Sequence, residues 1–452
     1  MDLLLLSRVQ FALTIMFHYI YPPLSIGLGL IIVILESMYM LTRKPLYHMA
    51  SRFWVKVFGL TFALGVATGI VMEFEFGTNW STYSRYVGDV FGSALAAEGV
   101  FAFFLESGFL AILLFGWDKV SPFMHWLSAL LVCLGAHFSA IWIVVAGSWM
   151  QTPAGYRIVG DGLNARAEIT DFGAMVFNPS SMERLAHVTL GCWNAGAFLV
   201  LSVSAYYLLR KRHVEFAKAS MKAALAVAVI ASIAQLVTGR ISAEGVAKHQ
   251  PAKLAAMEAH FPAQAPADMY LWGYVDEKKQ AVRYGLKVPG LLSYLIHGNA
   301  AKPVPGVNAF KKEDMPPVNI VFQSYHWMVA IGLCLIALSI ISVVYLWRGK
   351  LFETPWLLKA LALSVLLPQA ANQLGWMTAE VGRQPWIVYG LLRTSEGLSK
   401  AVQAHAVLTS LIMFTLIYLL LFILFVYLFD SKIKHGPEEP DPKANTRHLH
   451  RA

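Results

Sequence analysis

Nine long apolar segments constrain the fold of this chain more than any other feature of its sequence. A helix needs roughly 20 apolar residues in a row to cross the hydrocarbon core of a bilayer. The segments that meet this length lie at about residues 9–36, 53–76, 92–116, 124–147, 184–208, 219–239, 318–346, 356–379 and 403–429. Only 14% of the 452 residues are charged, too few to cover a soluble domain of this length. The sequence predicts an all-α, polytopic membrane bundle with nine transmembrane helices.

Basic residues predict how the bundle is oriented. They cluster after the first span, in the link LLRKRHVEFAKASMK between spans five and six, and in the C-terminal tail. The positive-inside rule makes these three regions cytoplasmic and places the N-terminus outside. The net charge of +9 is explained by these basic clusters on the cytoplasmic side. We therefore predict a lipid bilayer as a partner and no nucleic acid.

The chain divides into four predicted regions. Residues 1–240 hold spans one to six, and residues 241–317 form a polar extracytoplasmic loop too long to be a simple connector. Residues 318–429 hold spans seven to nine. Residues 430–452 have the composition of a disordered cytoplasmic tail.

Polar side chains inside the spans are candidate functional residues. His18 is followed by Pro22 and Pro23, which leave backbone carbonyls without their helical partners and predict a kink beside the imidazole. His187 and Met328 each precede a glycine by four residues and lie at similar predicted depths in spans five and seven. A histidine and a methionine together can hold a haem iron. The alternative, for each residue alone, is an ordinary helix contact or core filler.

Two carboxylates in span three form a second candidate group. Glu98 and Glu106 are eight residues apart with Ala102 between them, which predicts that both lie near one helix face, turned to the bundle interior. They suit a proton relay or a base beside an iron centre; the alternative is a structural hydrogen-bonded pair. Four polar residues could continue such a relay inwards or have only packing roles: Lys56, Asp118, His125 and Ser139.

A third group lies in the stretch GWMTAEVGRQPW, at the outer edge of span eight. It places Glu380 and Arg383 close to the hydrocarbon, where unpaired charges are costly. Trp376 and Trp386 flank this pair and suit the membrane interface.

These segments together resemble subunit I of the cytochrome bd-type quinol oxidases over nearly the whole chain. The motifs that carry the resemblance occur in order: SRVQFALTIMFHYIYPPLSIG, FALGVATGIVMEFEFGTNWS, AAEGVFAFFLESG, KLAAMEAH and GWMTAEVGRQPW. The resemblance implies three haems, a low-spin haem b, a high-spin haem b and haem d. It implies His187 and Met328 as axial ligands of the low-spin haem, with His18 and Glu380 each binding one high-spin haem.

The resemblance also implies an activity, a location and partners. Lys253 and Glu258 match the family's quinol-loop residues, Glu98 and Glu106 its paired acidic positions, and Arg383 and Trp376 are expected to contact haem. The expected reaction oxidises ubiquinol or menaquinol at the outer side of the bacterial inner membrane and reduces O2 to water with cytoplasmic protons, without pumping. The expected protein partners are subunit II and, in some forms, a small single-helix subunit.

Two departures from the family pattern and two rival functions accompany this interpretation. His326 stands where many relatives carry arginine, and the outer loop is the short form. The rivals are a dihaem cytochrome b that anchors a dehydrogenase and a proton-coupled secondary transporter. A transporter would purify without colour, and a dihaem anchor would lack haem d and O2 uptake.

Overall fold

The computed structural model describes residues 2–438 and consists mainly of long α-helices. The helices are α1 (Leu3–His18), α2 (Tyr21–Thr42), α3 (Pro45–Gly77), α4 (Ser81–Tyr86), α5 (Gly88–Glu98), α6 (Phe104–Phe115), α7 (Pro122–Gln151), α8 (Phe172–Val176), α9 (Ser181–Leu209), α10 (Val214–His249), α11 (Pro251–Met257), α12 (Leu291–His297), α13 (Val318–Trp347), α14 (Pro355–Leu363), α15 (Leu366–Val381) and α16 (Ala404–His435). Within residues 2–438, eight helical segments are long and apolar enough to cross a membrane.

The first of these segments, Leu3–Thr42, is interrupted at Tyr19 and Ile20, between α1 and α2. Pro22 and Pro23 follow directly, and neither can donate a backbone hydrogen bond to the residue four positions earlier. The predicted kink beside His18 is therefore present, because the carbonyl of His18 loses its helical partner.

The predicted span eight, at about residues 356–379, is not one helix. It is divided into α14, of 9 residues, and α15, of 16 residues, with Ser364 and Val365 between them. Pro368 explains the division, because it has no N–H to donate to the carbonyl of Ser364. Nine continuous spans are thus not confirmed, and the eight candidates found in residues 2–438 do not include this segment.

Three short antiparallel hairpins lie outside the candidate spans and were not part of the all-α prediction. Their strands are β1 (Tyr156–Val159) with β2 (Arg166–Ile169), β3 (Met269–Asp276) with β4 (Ala281–Val288), and β5 (Trp386–Val388) with β6 (Leu392–Arg393). The strands β1, β2, β5 and β6 have only two to four residues, and the eight-residue strands β3 and β4 lie within the loop predicted from its polar composition. The predicted outer loop, residues 241–317, thus contains the end of α10, the helices α11 and α12, and the β3–β4 hairpin.

The first residues of the predicted disordered tail, 430–435, are helical. Helix α16 continues to His435, and Lys434 forms an ion pair with Asp430 one turn earlier, at 2.7 Å. The remaining part of the predicted tail, residues 439–452, lies outside the described residues.

The largest buried cluster lies where α2, α3, α9 and α10 meet. Helices α2 and α9 approach each other very closely at Gly27 and Gly196. A Cβ atom added to Gly27 would lie 2.4 Å from the carbonyl oxygen of Cys192, and one added to Gly196 would lie 2.3 Å from the Gly27 carbonyl carbon. Only glycine fits at this crossing, which fixes the position of α9 and therefore of His187.

The basic regions predicted to be cytoplasmic meet at one end of the bundle. Arg52 of α3 lies 3.9 Å from Glu438, just beyond α16, and Lys56 also pairs with Glu438. Arg212, in the link between α9 and α10, donates to the carbonyl of Lys434 at 3.1 Å. The predicted cytoplasmic regions thus share one side, as the topology requires.

Candidate functional site

His18 and His187 are held by the same arrangement on different helices. The Nδ1 atom of His18 lies 3.0 Å from the hydroxyl of Thr68 on α3, and that of His187 lies 3.0 Å from the hydroxyl of Thr238 on α10. Each threonine hydroxyl donates its proton to a backbone carbonyl four residues earlier in its own helix. A hydroxyl that donates in this way accepts from Nδ1–H, and that tautomer leaves the Nε2 lone pair of each imidazole for a metal ion.

A glycine follows each threonine and makes room for the imidazole. A Cβ atom on Gly69 would lie 3.3 Å from Cε1 of His18, and one on Gly239 would lie 3.4 Å from Cε1 of His187. The sequence analysis missed both Thr-Gly pairs. The signal was visible as the repeated dipeptide in VATGI and LVTGR.

The Nε2 atom of His187 has a polar neighbour in this structure. The side-chain amide nitrogen of Gln235 lies 3.0 Å from it. With the histidine proton on Nδ1, Nε2 accepts from this amide N–H. The donor set at His187 therefore fits an axial haem ligand.

Met328 lies on α13, which packs along α15. Its sulfur occupies the space beside Gly375 of α15, where a Cβ atom would lie 3.0 Å away. The glycine that the sequence analysis paired with Met328 is Gly332, and a Cβ atom added there would meet no atom of residues 2–438 within 4 Å. Asn372, one turn before Gly375, donates to the carbonyl of Gly191 on α9 at 3.4 Å. Helix α15 thus contacts both helices that carry the predicted low-spin haem ligands.

Glu380 and Arg383 form an ion pair at the outer end of α15. Arg383 Nη1 donates to Glu380 Oε1 at 3.3 Å, and Nη2 makes a closer contact with Oε2. Arg383 is only 3% exposed and its Nε also donates to the carbonyl of Trp386 at 3.2 Å. Trp376 lies half-buried one turn before Glu380. The carboxylate is therefore compensated by Arg383, and an iron ion is a second cation that the same oxygens could bind.

Gln151 joins this pair to the outer loop. At the end of α7, its side-chain oxygen accepts from Lys253 Nζ at 2.6 Å, and its side-chain nitrogen donates to Glu380 Oε1 at 3.1 Å. One amide thus bridges the predicted quinol residue and the predicted haem ligand. The sequence analysis missed Gln151, since nothing local marks a lone glutamine at the end of a span.

Lys253 is buried on α11. Burial lowers the pKa of its ammonium well below the usual range, and the nearby cations Arg184 and Arg383 lower that pKa further, against the opposite effect of Glu380. A lysine in such a place exchanges its proton more readily than a surface lysine.

Glu258 follows α11 directly and is 3% exposed. Burial raises the pKa of its carboxyl to about 8. Its Oε2 atom has no hydrogen-bond partner among the described residues, so it is a buried acceptor that a ligand hydroxyl could satisfy. Glu258 and Lys253 lie on neighbouring turns of one short segment, as the resemblance predicts.

Glu98 and Glu106 both face α7. The hydroxyl of Ser139 donates a short hydrogen bond to Glu98, and the Glu106 side chain lies against Gly135, where a Cβ atom would be 2.9 Å from Glu106 Cβ. A π-helical turn, Gly99–Phe103, separates α5 from α6 between the two carboxylates. In a continuous α-helix, eight residues would leave the side chains about 80° apart, and one extra residue in a wider turn reduces this to about 20°. The predicted shared face thus depends on a π-turn that the sequence analysis missed.

Three of the four polar residues, Ser139, Lys56 and His125, contact carboxylates other than Glu106. Ser139 contacts Glu98, and Lys56 pairs with Glu438. His125 Nδ1 lies 3.3 Å from Glu36, a buried carboxylate that also accepts from Ser51 at 2.5 Å. Glu36 was absent from the sequence analysis. The contacts thus divide into an outer group around Glu98 and an inner group around Glu36.

His326 contacts the outer loop. Its Nδ1 lies 2.9 Å from the carbonyl oxygen of Phe322, and its Nε2 lies 2.6 Å from the carbonyl oxygen of Tyr270 on β3. His326 therefore joins α13 to the β3–β4 hairpin.

The arrangement matches a known family. The family model described as cytochrome bd terminal oxidase subunit I matches residues 6–437. The chain belongs to the cytochrome bd terminal oxidase subunit I family. Members are respiratory oxidoreductases of the membrane that carry haem, and the paired Thr-Gly supports at His18 and His187 fit such a group.

Individual relatives of this family align over almost the whole chain. The cytochrome bd ubiquinol oxidase subunit 1 of Bacillus subtilis (strain 168) is 38% identical over 97% of this chain and 95% of its own length. The cytochrome bd-II ubiquinol oxidase subunit 1 of Escherichia coli (strain K12) is 36% identical over 96% and 97%. The solved bd oxidase of Geobacillus thermodenitrificans matches with a TM-score of 0.88 and 31% identity, covering 96% of this chain and 99% of that one.

Proposed function

We propose that this subunit oxidises a membrane quinol beside Lys253 and Glu258 and passes the electrons to haems that reduce O2 to water. The observation that carries the proposal is the Gln151 bridge, which joins Lys253 to Glu380 through two hydrogen bonds. It supports the proposal because it joins the loop segment proposed to handle quinol to the carboxylate proposed to bind haem. The proposed reaction is a quinol:oxygen oxidoreduction that generates a proton motive force without pumping.

Four side chains would hold the haem irons. His187 and Met328 would bind a low-spin haem b, supported by the contacts of α15 with both of their helices. His18 and Glu380 would each bind one of two high-spin haems, one b and one d, in either assignment. Bound haem supplies the iron that carries electrons and activates O2. Arg383 and Trp376 would contact these groups through charge and ring packing.

The outer loop would remove the quinol protons. The unpartnered Oε2 of Glu258 accepts a hydrogen bond from a quinol hydroxyl, and its ionised form accepts the proton. Lys253 would orient the other quinol oxygen, since its position is fixed by Gln151. These protons would leave on the outer side.

Protons for water formation would come from the cytoplasm and pass Glu106. Support comes from burial: Glu106 is 7% exposed and turned to α7, so its carboxyl is shielded from lipid. Glu98, bonded to Ser139, would be the group nearer the high-spin haems. Release on one side and uptake on the other makes the reaction electrogenic.

The proposed topology places the N-terminus and residues 241–317 outside the bacterial inner membrane and the C-terminus in the cytoplasm. Residues 1–240 and 318–429 would contain nine crossings, the eighth made by α14 and α15 together. The relatives' names include both ubiquinol oxidases and a putative menaquinol oxidase, so either quinol is a candidate substrate. Subunit II is the proposed partner, and a small single-helix subunit a further one.

A reduced-minus-oxidised spectrum of the purified complex, combined with haem extraction and O2 uptake, tests the proposal. We expect haem b and haem d signals and quinol-dependent O2 uptake. A colourless protein would identify a transporter. Haem b alone, without O2 uptake, would identify a dihaem membrane anchor.

A further inference from the structure

The β3–β4 hairpin carries a group of large apolar side chains on its surface. We define the hairpin face as Leu271, Trp272, Tyr274, Tyr284 and Leu286. All five are between 47% and 85% exposed. Trp272 and Leu286 are paired across the two strands. Single exposed apolar residues are common, but a contiguous group of this kind marks an interaction surface.

The opposite side of the hairpin is fixed to the bundle. Gly273 and Val275 of β3 are buried. Val275 belongs to one buried cluster with Met257 of α11 and Phe322 of α13. The hairpin is therefore held in place by its inner side, and the hairpin face points away from the helices.

Polar contacts set the depth of the hairpin along α13. From Tyr270 to Glu277 along the hairpin, the partner residues on α13 move back from His326 to Asn319. The carbonyl oxygen of Tyr270 lies 2.6 Å from His326 Nε2. The side-chain amide of Gln323 donates to the carbonyl of Gly273 at 2.9 Å, and the backbone N–H of Asn319 donates to Glu277 Oε1 at 2.7 Å. The strand thus lies along the first turns of α13, and Tyr270 lies at the level of His326.

Two exposed tryptophans on α13 have the spacing expected of residues at the two membrane interfaces. Trp327 is 53% exposed and Trp347 is 85% exposed. Twenty residues of helix span about 30 Å, the thickness of the hydrocarbon core. Tryptophan is enriched at both membrane interfaces. The outer boundary of the hydrocarbon therefore lies near Trp327, and the hairpin occupies the headgroup layer above it.

We propose that the hairpin face binds the outer leaflet of the bilayer, with its aromatic rings among the lipid headgroups. The face continues the lipid-facing surface of α13, which includes Ile320 and Trp327. The occupant inferred here is lipid and not another protein chain.

This surface would also serve the proposed quinol reaction. Val275 and Met257 share a buried cluster, so the hairpin is packed on the helix that carries Lys253. Anchoring the hairpin in the headgroup layer keeps α11 beside the bilayer from which a lipid-soluble quinol arrives. This consequence rests on the proposed function, whereas the lipid contact does not.

A fluorescence measurement on the complete oxidase in lipid nanodiscs tests the lipid contact. Trp272→Cys is labelled with an environment-sensitive dye, and Lys279→Cys, at the turn of the same hairpin, is the matched control. Both carry Cys334→Ser, because Cys334 is exposed. We expect the dye at position 272 to emit at shorter wavelength and to be quenched by spin-labelled lipid. The dye at position 279 is expected to be quenched by aqueous iodide.

Two results would overturn the lipid contact. Equal iodide quenching at both positions would place the hairpin face in water. Protection of position 272 from both quenchers would mean that a protein chain covers it. A separate kinetic test uses Trp272→Ser with Tyr284→Ser, which we expect to raise the KM for a long-chain quinol but not for a short-chain, water-soluble one, with haem spectra unchanged. Loss of activity with both quinols would count against the quinol proposal and leave the fluorescence result standing.

Discussion

At the scale of single residues, two threonines decide which nitrogen of each candidate ligand histidine faces a metal. Thr68 and Thr238 lie about fifty residues from His18 and His187 in sequence, and each accepts from Nδ1. The histidines themselves were predictable, because an ionisable group inside a span is conspicuous. Their partners were not, because no local pattern indicates which helix lies beside which.

The first prediction concerns Thr238. Thr238→Val keeps the side-chain shape but removes the acceptor for His187 Nδ1, so the imidazole loses its fixed tautomer and orientation. We expect a weaker ligand field at the low-spin haem, measured by electron paramagnetic resonance, and a shifted reduction potential. Thr409→Val is the control, since Thr409 makes the same backbone hydrogen bond on an exposed part of α16. Identical spectra in both variants would remove Thr238 from the haem site.

Met328 gives a second prediction. Met328→Leu keeps the volume beside Gly375 but removes the sulfur. We expect the low-spin haem signal to fade or become high-spin, while the circular dichroism of the helices is unchanged. If the low-spin spectrum persists, Met328 is not an axial ligand.

Glu258 gives a third prediction, on pH. The pKa of its carboxyl is about 8 in the folded protein because of burial, above the value of about 4.3 expected in the unfolded chain. Its contribution to stability is therefore fully present below the unfolded pKa and is lost as the pH rises through about 8. We expect the Tm of the native protein, relative to Glu258→Gln, to fall between pH 5 and pH 9.

The same titration should appear in the kinetics. Only the ionised carboxylate accepts a quinol proton, so kcat/KM for quinol should rise with pH towards about 8 and lose this dependence in Glu258→Gln. Glu313→Gln, an exposed change in the same loop, is the control and should keep both profiles. Unaltered profiles in Glu258→Gln would show that another group accepts the proton.

At the scale of helices, hydropathy predicted most of the architecture and missed its irregularities. Apolar length is a local property, so the spans were readable. The break before α15 also had a local cause in Pro368. The π-turn Gly99–Phe103 had no local cause, because turn width depends on packing against α7. The strands of two hairpins, β1–β2 and β5–β6, were too short to stand out.

The contact between α6 and α7 gives a further prediction. Gly135→Ala would place a Cβ atom 2.9 Å from Glu106 Cβ and 3.2 Å from its backbone, so the helices must separate. We expect a loss of about 1–3 kcal/mol of stability and altered high-spin haem spectra. Gly147→Ala on the same helix meets no described atom within 4 Å and should leave the spectra unchanged. Equal effects of the two changes would show that helix packing at Gly135 is adaptable.

At the scale of the whole molecule, the candidate sites are spread along the bundle rather than gathered in one pocket. Glu258, Lys253 and Glu380 lie at the outer end, Glu106 lies within α6, and Glu36 with His125 lies towards the basic end. Span direction predicted the relative depths of Glu380 and Glu106, whereas Glu36 was not predicted. The sequence could not predict the direct Gln151 bridge, which needs three separate segments to meet.

Proton transfer through Glu106 concerns the whole molecule, because the proposed path runs from the cytoplasm to the haems. Glu106→Gln keeps the shape and hydrogen bonding of the side chain but cannot carry a proton. We expect slower O2 reduction with reduced proton uptake in a flow–flash experiment, whereas Glu98→Gln should alter the high-spin haem spectra first. Normal uptake in Glu106→Gln would leave that carboxylate as a structural group.

The break at Ser364 and Val365 separates α14 from α15, the helix that carries Glu380. Helix α14 packs on α9, whereas α15 packs chiefly on α13, so the two halves have different neighbours. In an unbroken helix, a tilt at Glu380 would also move the opposite end. With a break between α14 and α15, α15 can tilt while α14 keeps its position. A change in the bonding of Glu380 should therefore alter amide hydrogen exchange in residues 366–383 and leave residues 355–363 unaffected.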